Sequence, residues 1–267
     1  MLAPERRALI MDLLTRNKSV LVKELCVLFD VTGETIRKDL SILEQEGKLI
    51  KTYGGAYVPD GVRNEIDASI RETVLTDVKD SIGRACAGLV REGDTVFLDD
   101  STTCLNIARY LSLMSGVMVI TNSLKAAQVF ADNRNSALLL AGGKLDTRNQ
   151  SFSGEEARGL IGRHYADLCF VSCRGLDRDA GITDGSEESG ELRKIMLQHS
   201  KRRYLVLDQT KLDQINFYRI GGFELIGGVI IDQLDDAGWR RFLRELSIPV
   251  TETMSKNKAE PKNEPHT

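Results

Sequence analysis

The chain has 267 residues, a formal net charge of −3 at pH 7 and a charged fraction of 28%. This length predicts about two domains, and the slightly acidic total gives no support for a nucleic-acid partner, so a DNA-binding face would have to come from a local cluster of basic residues. No apolar run approaches the ~18 residues that span a bilayer, and the N-terminal MLAPERRALI lacks the uncharged apolar segment of a secretory signal, so we expect a cytoplasmic protein with no membrane partner.

The cysteine and histidine content argues against a metal site. No two cysteines form a CxxC pair, and the three histidines supply no second cluster of ligands. We therefore expect buried, reduced thiols and neither a metal nor a cofactor. The five cysteines are Cys26, Cys86, Cys104, Cys169 and Cys173.

The front of the chain predicts three helices and a small β-hairpin. Apolar residues recur at helical spacing over residues 4–17 and again over residues 22–29. Thr32 is a suitable N-cap for a third helix, because its hydroxyl can accept a hydrogen bond from a free N–H group of the first turn. Gly47 suits the left-handed position that ends this helix, and KLIKTYGGAY at residues 48–57 then predicts a β-wing.

This order of elements predicts a winged helix-turn-helix, whose third helix enters the major groove of DNA. The buried stripe of that helix is Ile36, Leu40 and Leu43. Arginine can read guanine through two hydrogen bonds and lysine can bind phosphate, while free N–H groups at the helix start can bind a further phosphate. The alternative is that Arg37 and Lys38 form only a solvated helix face. The candidate DNA contacts are Thr32, Thr35, Arg37, Lys38, Ser41, Lys48 and Lys51.

The rest of the chain alternates between strands and helices. Six short runs are apolar on both faces, as buried parallel strands are, and amphipathic segments such as residues 77–90 and 187–196 separate them. This alternation predicts a mostly parallel α/β sheet covered by helices. The predicted strands are residues 95–99, 117–121, 137–141, 167–173, 204–208 and 227–232.

Composition and pattern divide the chain into four parts. We predict a winged helix-turn-helix domain over residues 1–58, a linker over 59–75, an α/β ligand domain over 76–250 and a disordered tail over 251–267. The linker contains proline and glycine and has little periodicity, and the tail is polar and contains proline.

Polar residues follow three of the predicted strands. FLDDSTTCLNIARYL at residues 97–111 runs from a strand into a helix, where hydroxyls, N–H groups and the helix dipole would form an anion site. Thr-Asn-Ser at 121–123 and Gly-Gly at 142–143 follow the next two strands. Because ligands bind at the carboxyl ends of strands in open α/β sheets, these loops predict a small, polar, phosphorylated ligand. The alternative is that the polar residues are only helix caps.

The run KELCVLFDVTGETIRKDLSILEQEGKLIKTYGGA at residues 23–56 resembles the helix-turn-helix of the DeoR family of bacterial transcriptional regulators. The resemblance implies that the third helix is the recognition helix and that Asp39 holds the motif together instead of facing DNA. Lys38 stands where the family has arginine. This change keeps the charge and loses the planar fork, so a phosphate contact is expected there.

The resemblance extends through nearly all of residues 75–235, where the family's turns correspond to DDSTT, TNS, GG, GLDRDAGIT and DQTK, with Ser101 in the place of glycine. The family's ligand domain is similar in fold to ribose phosphate isomerase and glucosamine phosphate deaminase, which implies a phosphorylated sugar or polyol as effector. Arg174 is a further cation at a strand end, available to ligand phosphate or to Asp177. The candidate ligand contacts are Asp99, Ser101, Thr102, Thr103, Thr121, Asn122, Ser123, Gly142, Gly143, Arg174, Asp177 and Lys211.

The resemblance implies a transcriptional repressor of a carbohydrate operon, relieved by the bound sugar phosphate, and not an enzyme. We expect a homo-oligomer, a dimer or a tetramer, on double-stranded operator DNA. One alternative is a sugar-phosphate isomerase with an accessory DNA-binding domain, which needs a carboxylate base beside its substrate. Another is a scaffold that binds DNA without any ligand. The groups that an isomerase could use are Asp99, Asp177, Glu187 and Lys211.

Overall fold

A computed structural model describes residues 1–17, 19–51, 54–57, 68–73, 75–133 and 136–253. Within these ranges the front of the chain contains helices α1 (Ala3–Asn17), α2 (Val22–Phe29) and α3 (Gly33–Gln45). They pack beside a sheet of the strands β1 (Ser19–Leu21), β2 (Ile50–Lys51) and β3 (Gly55–Tyr57), in the antiparallel order β1-β3-β2. The predicted helices and wing are confirmed. Strand β1 was not predicted, because three residues before a helix are too few to show a period.

Local signals place the ends of helix α3 where the sequence predicts them. The Thr32 hydroxyl accepts a hydrogen bond from the N–H group of Thr35 at 3.3 Å, and Gly47 adopts a left-handed φ of 70°. The helix is held by an apolar cluster that α1, α2 and the wing share, which includes Ile10, Leu14, Leu25, Ile36, Leu40 and Leu43.

The α/β part is built on one parallel sheet, as far as the described residues extend. All six predicted strands are present, as β4 (Thr95–Leu98), β5 (Met118–Thr121), β6 (Ala137–Leu140), β9 (Ala166–Val171), β12 (Ser200–Leu207) and β14 (Gly228–Ile231). A seventh strand, β15 (Val250–Glu252), completes the sheet, whose order is β15-β14-β12-β9-β4-β5-β6.

The end of the chain needs a correction. Residues 251–253 were expected to start a disordered tail, but Thr251 and Glu252 pair with Ile230 and Ile231 as the edge strand β15. Polar composition concealed this strand, because an edge strand needs little apolar surface when a neighbouring strand supplies its hydrogen bonds. The remainder of the predicted tail, 254–267, lies outside the described residues.

Helices cover both faces of the sheet. One core joins the sheet to helices α5 (Thr76–Ala87), α6 (Thr102–Leu111) and α7 (Leu124–Ala131), and the other joins it to α8 (Glu155–Ile161), α9 (Glu187–Gln198) and α10 (Ala237–Glu245). Short antiparallel strands lie beside the sheet. They are β7 (Lys144–Asp146) with β8 (Ser151–Ser153), and β10 (Gly175–Asp177) with β11 (Gly181–Asp184) and β13 (Tyr218–Gly221). No helix among the described residues is long and apolar enough to span a bilayer.

The predicted linker contains a helix. Helix α4 (Ala68–Thr73) contacts β1 and β3 of the front sheet and also α6 of the α/β part. The N–H group of Ala68 donates to the Arg148 carbonyl at 3.1 Å, and Arg71 donates to Asn149 at 2.6 Å. These tertiary contacts stabilise a helix too short to predict from its own sequence. Residues 59–67 and 74 of the predicted linker lie outside the described residues.

The predicted burial of the cysteines is confirmed for four of the five. The five cysteines form no disulfide, and Cys86, Cys104, Cys169 and Cys173 are buried, while Cys26 is half-buried. Burial raises the pKa of the Cys173 thiol to about 12, which keeps it protonated and weakly reactive.

Candidate DNA-binding surface and ligand pocket

The outer face of helix α3 carries the candidate DNA contacts. Arg37 and Lys38 are exposed, on the side opposite the buried stripe. The Thr32 and Thr35 hydroxyls lie 3.0 Å apart at the helix start, and the Ser41 hydroxyl donates to the Arg37 carbonyl at 2.8 Å. These residues therefore form one polar strip along the first three turns of the helix.

Asp39 occupies the position expected for a structural residue. It is 3% exposed, and its carboxylate lies 2.6 Å from Arg6 Nε and 3.6 Å from Arg7 Nη1, both on α1. Removing one partner of such a buried pair leaves an uncompensated charge. Asp39 thus fixes α1 against α3 and does not face solvent.

The two wing lysines lie in different surroundings. Lys48 is exposed and pairs with Glu46 at 2.7 Å. Lys51 is half-buried, and its ammonium donates to the Ser41 hydroxyl at 2.7 Å and lies 3.9 Å from Glu44. Lys51 also lines the pocket of the α/β part, which the sequence did not indicate.

This pocket has a volume of about 230 Å³ and opens at the carboxyl ends of strands β4, β9 and β12. The chain leaves β4 toward β5 on one side, whereas β9 pairs with β4 on the other side. The pocket therefore lies where the strand order reverses, the position at which open α/β sheets bind ligands. Its lining is Lys51, Tyr57, Arg71, Leu75, Lys79, Ser101, Thr102, Thr103, Ser172, Cys173, Arg174, Asp184, Arg193, Asp208, Thr210 and Lys211.

One wall of the pocket is the N-terminus of helix α6. The Ser101 hydroxyl caps this helix by accepting from the Cys104 N–H group at 3.1 Å, and Asp99 accepts from the Ser101 N–H group at 2.9 Å. Thr102 and Thr103 follow in the first turn and line the pocket. The N-terminal end of a helix carries a partial positive charge, so this wall favours a bound anion.

A buried arginine supports this wall from below. Arg193 of α9 lies 2.7 Å from Asp99 and 2.8 Å from Asp100, and it also pairs with Asp184. Burial alone would lower the pKa of Arg193, but the three carboxylates outweigh it and raise the pKa. Burial likewise opposes ionisation of Asp99, but the charge of Arg193 and the hydrogen bonds from Ser101, Cys104 and the Ser172 N–H group together outweigh it and lower that pKa. The network ties α9 to β11 and to the segment that joins β4 to α6.

The remaining charged groups of the lining are mostly cationic. With Arg193 and its partner Asp184 set aside, Lys51, Arg71, Lys79, Arg174 and Lys211 face a single carboxylate, Asp208, among the described lining residues. Such an excess of positive charge in a partly closed cavity attracts an anion and repels a cation.

Two of these cations have a pKa below the ordinary value for their residue type. Burial, followed by the charge of Arg174, lowers the pKa of Arg71 to about 9. Burial, followed by the charges of Arg71 and Lys211, lowers the pKa of Lys79 to about 8, against the opposing effect of Asp208. Lys79 also donates to the Arg71 carbonyl. A bound anion would favour the charged forms of Arg71 and Lys79 and would therefore raise both pKa values.

The structure brings together only part of the predicted ligand set. Ser101, Thr102, Thr103, Arg174 and Lys211 line the pocket. Asp99 lies beneath it, where its carboxylate accepts from Arg193 and from the Ser172 N–H group at 2.8 Å. The sequence pattern did not indicate Arg71, Lys79 or Arg193, because a single cation on a helix resembles an ordinary surface residue.

The other predicted ligand residues lie outside the lining in the part of the chain that the structure describes. At the end of β5, Thr121 and Ser123 hydrogen-bond locally, and Asn122 donates to the Phe152 carbonyl at 3.0 Å. Asp177 accepts from the N–H groups of residues 179 and 180 in a hairpin turn. The pair at 142–143 leads into β7. The β7–β8 hairpin contacts the end of β5 through the Ser123–Ser151 bridge.

Comparison with known protein families gives two matches that together cover most of the chain. The DeoR-like helix-turn-helix domain matches residues 6–62, and the DeoR C terminal sensor domain matches residues 75–233. The chain belongs to the DeoR family of transcriptional regulators. This DeoR-family protein is a DNA-binding regulator with a sensor domain for a small molecule, and it is not an enzyme.

Curated relatives resemble the DeoR-family protein over nearly its whole length. The uncharacterized HTH-type transcriptional regulator YulB of Bacillus subtilis is 33% identical over 251 residues, 94% of this chain and 97% of that protein. The putative aga operon transcriptional repressor of Escherichia coli O157:H7 is 29% identical over 92% of each chain. HTH-type transcriptional repressor GlcR of Bacillus subtilis is 31% identical over 86% of this chain and 88% of that protein.

Among solved structures, ribose 5-phosphate isomerase A from Methanocaldococcus jannaschii aligns with 51% of this chain and 54% of its own. The identity is 15% and the TM-score 0.39. A likeness at this level carries no argument about function.

Proposed function

We propose that this regulator represses a carbohydrate operon and that a phosphorylated sugar or polyol, bound in the pocket, lowers the affinity of the protein for the operator. The observation that carries the proposal is the pocket at the strand-order reversal, which combines a helix N-terminus with an excess of cationic side chains. The names of the aga operon repressor and of GlcR agree with repression and, for the former, with an operon as the target.

The proposed ligand contacts are the hydroxyls and cations that line the pocket. A phosphate monoester carries a charge of about −1.5 to −2 at pH 7 and three acceptor oxygens, which match hydroxyls, N–H groups and ammonium or guanidinium donors. The sugar hydroxyls would meet the remaining polar lining. The proposed phosphate contacts are Ser101, Thr102, Thr103, Arg71, Lys79, Arg174 and Lys211.

An isomerase activity is disfavoured by the state of the carboxylates. Asp99, Asp100 and Asp184 are engaged by Arg193. A general base must be able to take up a proton from substrate, and a carboxylate stabilised by a buried arginine is a poor acceptor.

The proposed DNA contacts are the seven predicted residues of α3 and the wing, among which Arg37 and Lys38 are the exposed cations of the recognition helix. Paired half-sites are bound by symmetric oligomers, so we propose a homodimer or homotetramer. The proposed division of the chain is residues 1–58 for DNA binding and a sensing part that begins at residue 76 and includes strand β15 up to Glu252, with helix α4 between them.

A calorimetric screen tests the ligand class. The full-length protein is titrated with sugar phosphates, with the matching unphosphorylated sugars and with inorganic phosphate. The proposal expects heat and a measurable Kd for the sugar phosphates and for inorganic phosphate, and none for the unphosphorylated sugars. Binding of unphosphorylated sugars with equal affinity would contradict it, and silence across the panel with intact DNA binding would favour a regulator without a ligand.

Changing Thr102 and Thr103 together to alanine tests the site. These hydroxyls line the pocket at the start of α6. Because each hydrogen bond to a charged group contributes about 1.5–3 kcal/mol, the double variant should lose release of the operator by the sugar phosphate that binds the native protein. Its operator affinity without ligand should be unchanged in a gel-shift titration.

The exposed Thr15→Ala variant on α1 is the control and should respond to the ligand as the native protein does. Release of the operator by the double variant at the native ligand concentration would place the site elsewhere.

A further inference from the structure

Two side chains of the DNA-binding wing line the ligand pocket. Lys51 lies on β2 and Tyr57 on β3, and the two strands pair so that Lys51 faces Ala56 and Ile50 faces Tyr57. Both side chains are half-buried, and both belong to the same lining as Thr102, Thr103 and Lys211. The pocket is therefore closed on one side by the domain that reads DNA.

Tyr57 lies deep enough to sense the charges of the pocket. Burial first, and the negative charge of Asp208 second, raise the pKa of the Tyr57 hydroxyl. Asp208 follows strand β12, three residues before Lys211. The phenol thus stays protonated and can donate a hydrogen bond to an anion at this end of the sheet.

Lys51 connects the pocket to the recognition helix. Its ammonium donates to the Ser41 hydroxyl at 2.7 Å, and that hydroxyl donates to the Arg37 carbonyl at 2.8 Å. The Lys51 N–H group also donates to Glu44 at 2.8 Å. A displacement of Lys51 would therefore change the partners of two residues on α3.

Helix α4 holds the wing against the pocket. A Cβ atom on Gly54 would lie 2.7 Å from the Thr73 hydroxyl, so the glycine permits close packing of the wing turn on α4. The Gly54 carbonyl accepts from the Val22 N–H group at 2.8 Å. Arg71 of the same helix lines the pocket. The contact between wing and pocket thus has a rigid support on both sides.

We propose that the wing completes the effector site, with the Tyr57 hydroxyl and the Lys51 ammonium donating to the bound anion. The inference rests on the proposed function, because it assigns further contacts to the same pocket. A phosphate dianion is a stronger partner for an ammonium group than a serine hydroxyl and a carboxylate at 3.9 Å. The effector therefore competes with α3 for Lys51.

This competition gives the regulator a direct route from effector to DNA. Occupancy of the pocket draws the Lys51 ammonium away from the Ser41 hydroxyl and from its 3.9 Å ion pair with Glu44, and the wing and α3 are re-positioned together. A ligand shifts an equilibrium only through its different affinity for two states, and here the difference lies in the partner of one lysine. By linkage, operator binding must change effector affinity by the same factor.

The test compares three variants of the full-length protein, with inorganic phosphate as the probe. Tyr57→Phe removes one hydroxyl and keeps the ring. Lys51→Met removes the ammonium group and keeps the length of the aliphatic part of the side chain. Lys48→Met is the matched control, because Lys48 is the exposed wing lysine outside the pocket lining. Phosphate affinity is measured by calorimetry, and affinity for a duplex selected by the native protein from random sequences is measured by gel shift.

The proposal expects weaker phosphate binding by roughly 3- to 10-fold for Tyr57→Phe and by about 10-fold or more for Lys51→Met. Lys48→Met should bind phosphate as the native protein does. Tyr57→Phe should bind the duplex normally without phosphate and be released less by it. Hydrogen exchange of residues 48–57 should slow on phosphate binding in the native protein and in Lys48→Met, and less in Tyr57→Phe.

The outcomes separate this inference from the function on which it rests. If phosphate and sugar phosphates fail to bind the native protein, the proposed function fails, and the inference with it. If phosphate binds the native protein, Tyr57→Phe and Lys51→Met equally, the site stands and the wing contact is refuted. If both lysine variants weaken duplex binding equally and phosphate binding not at all, Lys51 is only a contact to the DNA backbone.

Discussion

At the scale of single residues, Arg193 decides the architecture of the pocket floor. It is 5% exposed and joins α9 to two carboxylates that follow β4 and to Asp184, the last residue of β11. A buried ion pair is costly to form and costlier to break, because removing one partner leaves a charge without compensation. The three aspartates would repel each other without the guanidinium.

Replacing Arg193 with methionine should therefore destabilise the protein by about 3–5 kcal/mol. The change is measured as the free energy of unfolding in urea, with native buffer at pH 7. Lys201→Met is the control, because Lys201 forms an exposed pair with Asp167 at 2.9 Å, and its denaturation midpoint should stay at the native value. An unchanged midpoint for Arg193→Met would contradict a structural role for the network.

Lys79 gives the pocket a pH dependence whose sign follows from its pKa. The free protein holds the pKa of Lys79 at about 8, below the ordinary 10.5, through burial first and then Arg71 and Lys211, while Asp208 and Glu72 oppose the shift. A bound anion favours the charged form and raises this pKa. Binding therefore takes up a proton when the pH exceeds about 8.

The affinity for a sugar phosphate, which is a phosphate monoester, should be constant from pH 7 to just below 8 and should fall above it, by up to about tenfold per pH unit. The range stays above the second pKa of phosphate monoesters, ~6, so the ligand keeps its charge. Calorimetry at half-unit steps from pH 7 to 9 measures the slope. Lys79→Met should bind more weakly and show a flatter profile, and the same slope in both proteins would assign the proton to another group.

At the scale of elements, helix α3 divides its residues between packing and recognition. Its buried stripe contacts α1 and α2, and the Asp39 pair with Arg6 fixes its rotation. This arrangement leaves Arg37 and Lys38 facing outward. The orientation of the side chains that we propose as DNA contacts is therefore set by contacts on the opposite face.

Changing Arg37 to alanine should lower operator affinity by about 1–3 kcal/mol, since a bidentate contact to a base contributes that much discrimination. Phosphate affinity should stay at the native value, because Arg37 lies outside the pocket lining. Gel shifts at fixed salt measure the first quantity and calorimetry the second. Arg84→Ala on α5 removes an exposed arginine of the α/β part and should bind the operator normally.

At the scale of the whole molecule, the sensor and the DNA reader share a boundary through which one can act on the other. Helix α4 contacts both parts, and the wing forms one wall of the pocket. A coupling of 1–3 kcal/mol, typical of allosteric proteins, changes affinity roughly 5- to 150-fold. The change of partner proposed for Lys51 is of a kind that can supply this amount.

The proposed homodimer or homotetramer predicts the mass of the protein in solution. Light scattering on the purified protein should give a molar mass of two or four times the chain mass of 29.6 kDa, because paired half-sites require paired readers. The operator complex should contain the same number of chains. A monomer that binds a full operator with native affinity would contradict the proposed symmetry.

The elements that depend on local residue patterns could be predicted from the amino-acid sequence alone. The spacing of Ile36, Leu40 and Leu43 predicts the buried face of α3, and Thr32 and Gly47 predict its ends. Five of the six apolar runs predict inner strands, because a strand buried on both faces must be apolar throughout, and the sixth run is β6 at the edge of the sheet. Hydroxyls at residues 101–103 predict an anion wall, since a helix N-terminus attracts negative charge wherever it is placed.

The strand ends that form the pocket depend on the order of the strands in the sheet, which becomes visible only in the folded structure. The sheet order places β4, β9 and β12 side by side, whereas the end of β5 is contacted by the β7–β8 hairpin through Ser123 and Asn122. Strand order depends on long-range crossovers that leave no local period, and the same holds for the approach of Arg71, Lys79 and Arg193 from helices distant in sequence. The closure of the pocket by Lys51 and Tyr57 likewise depends on how two separately folded parts pack, which no residue pattern within either part specifies.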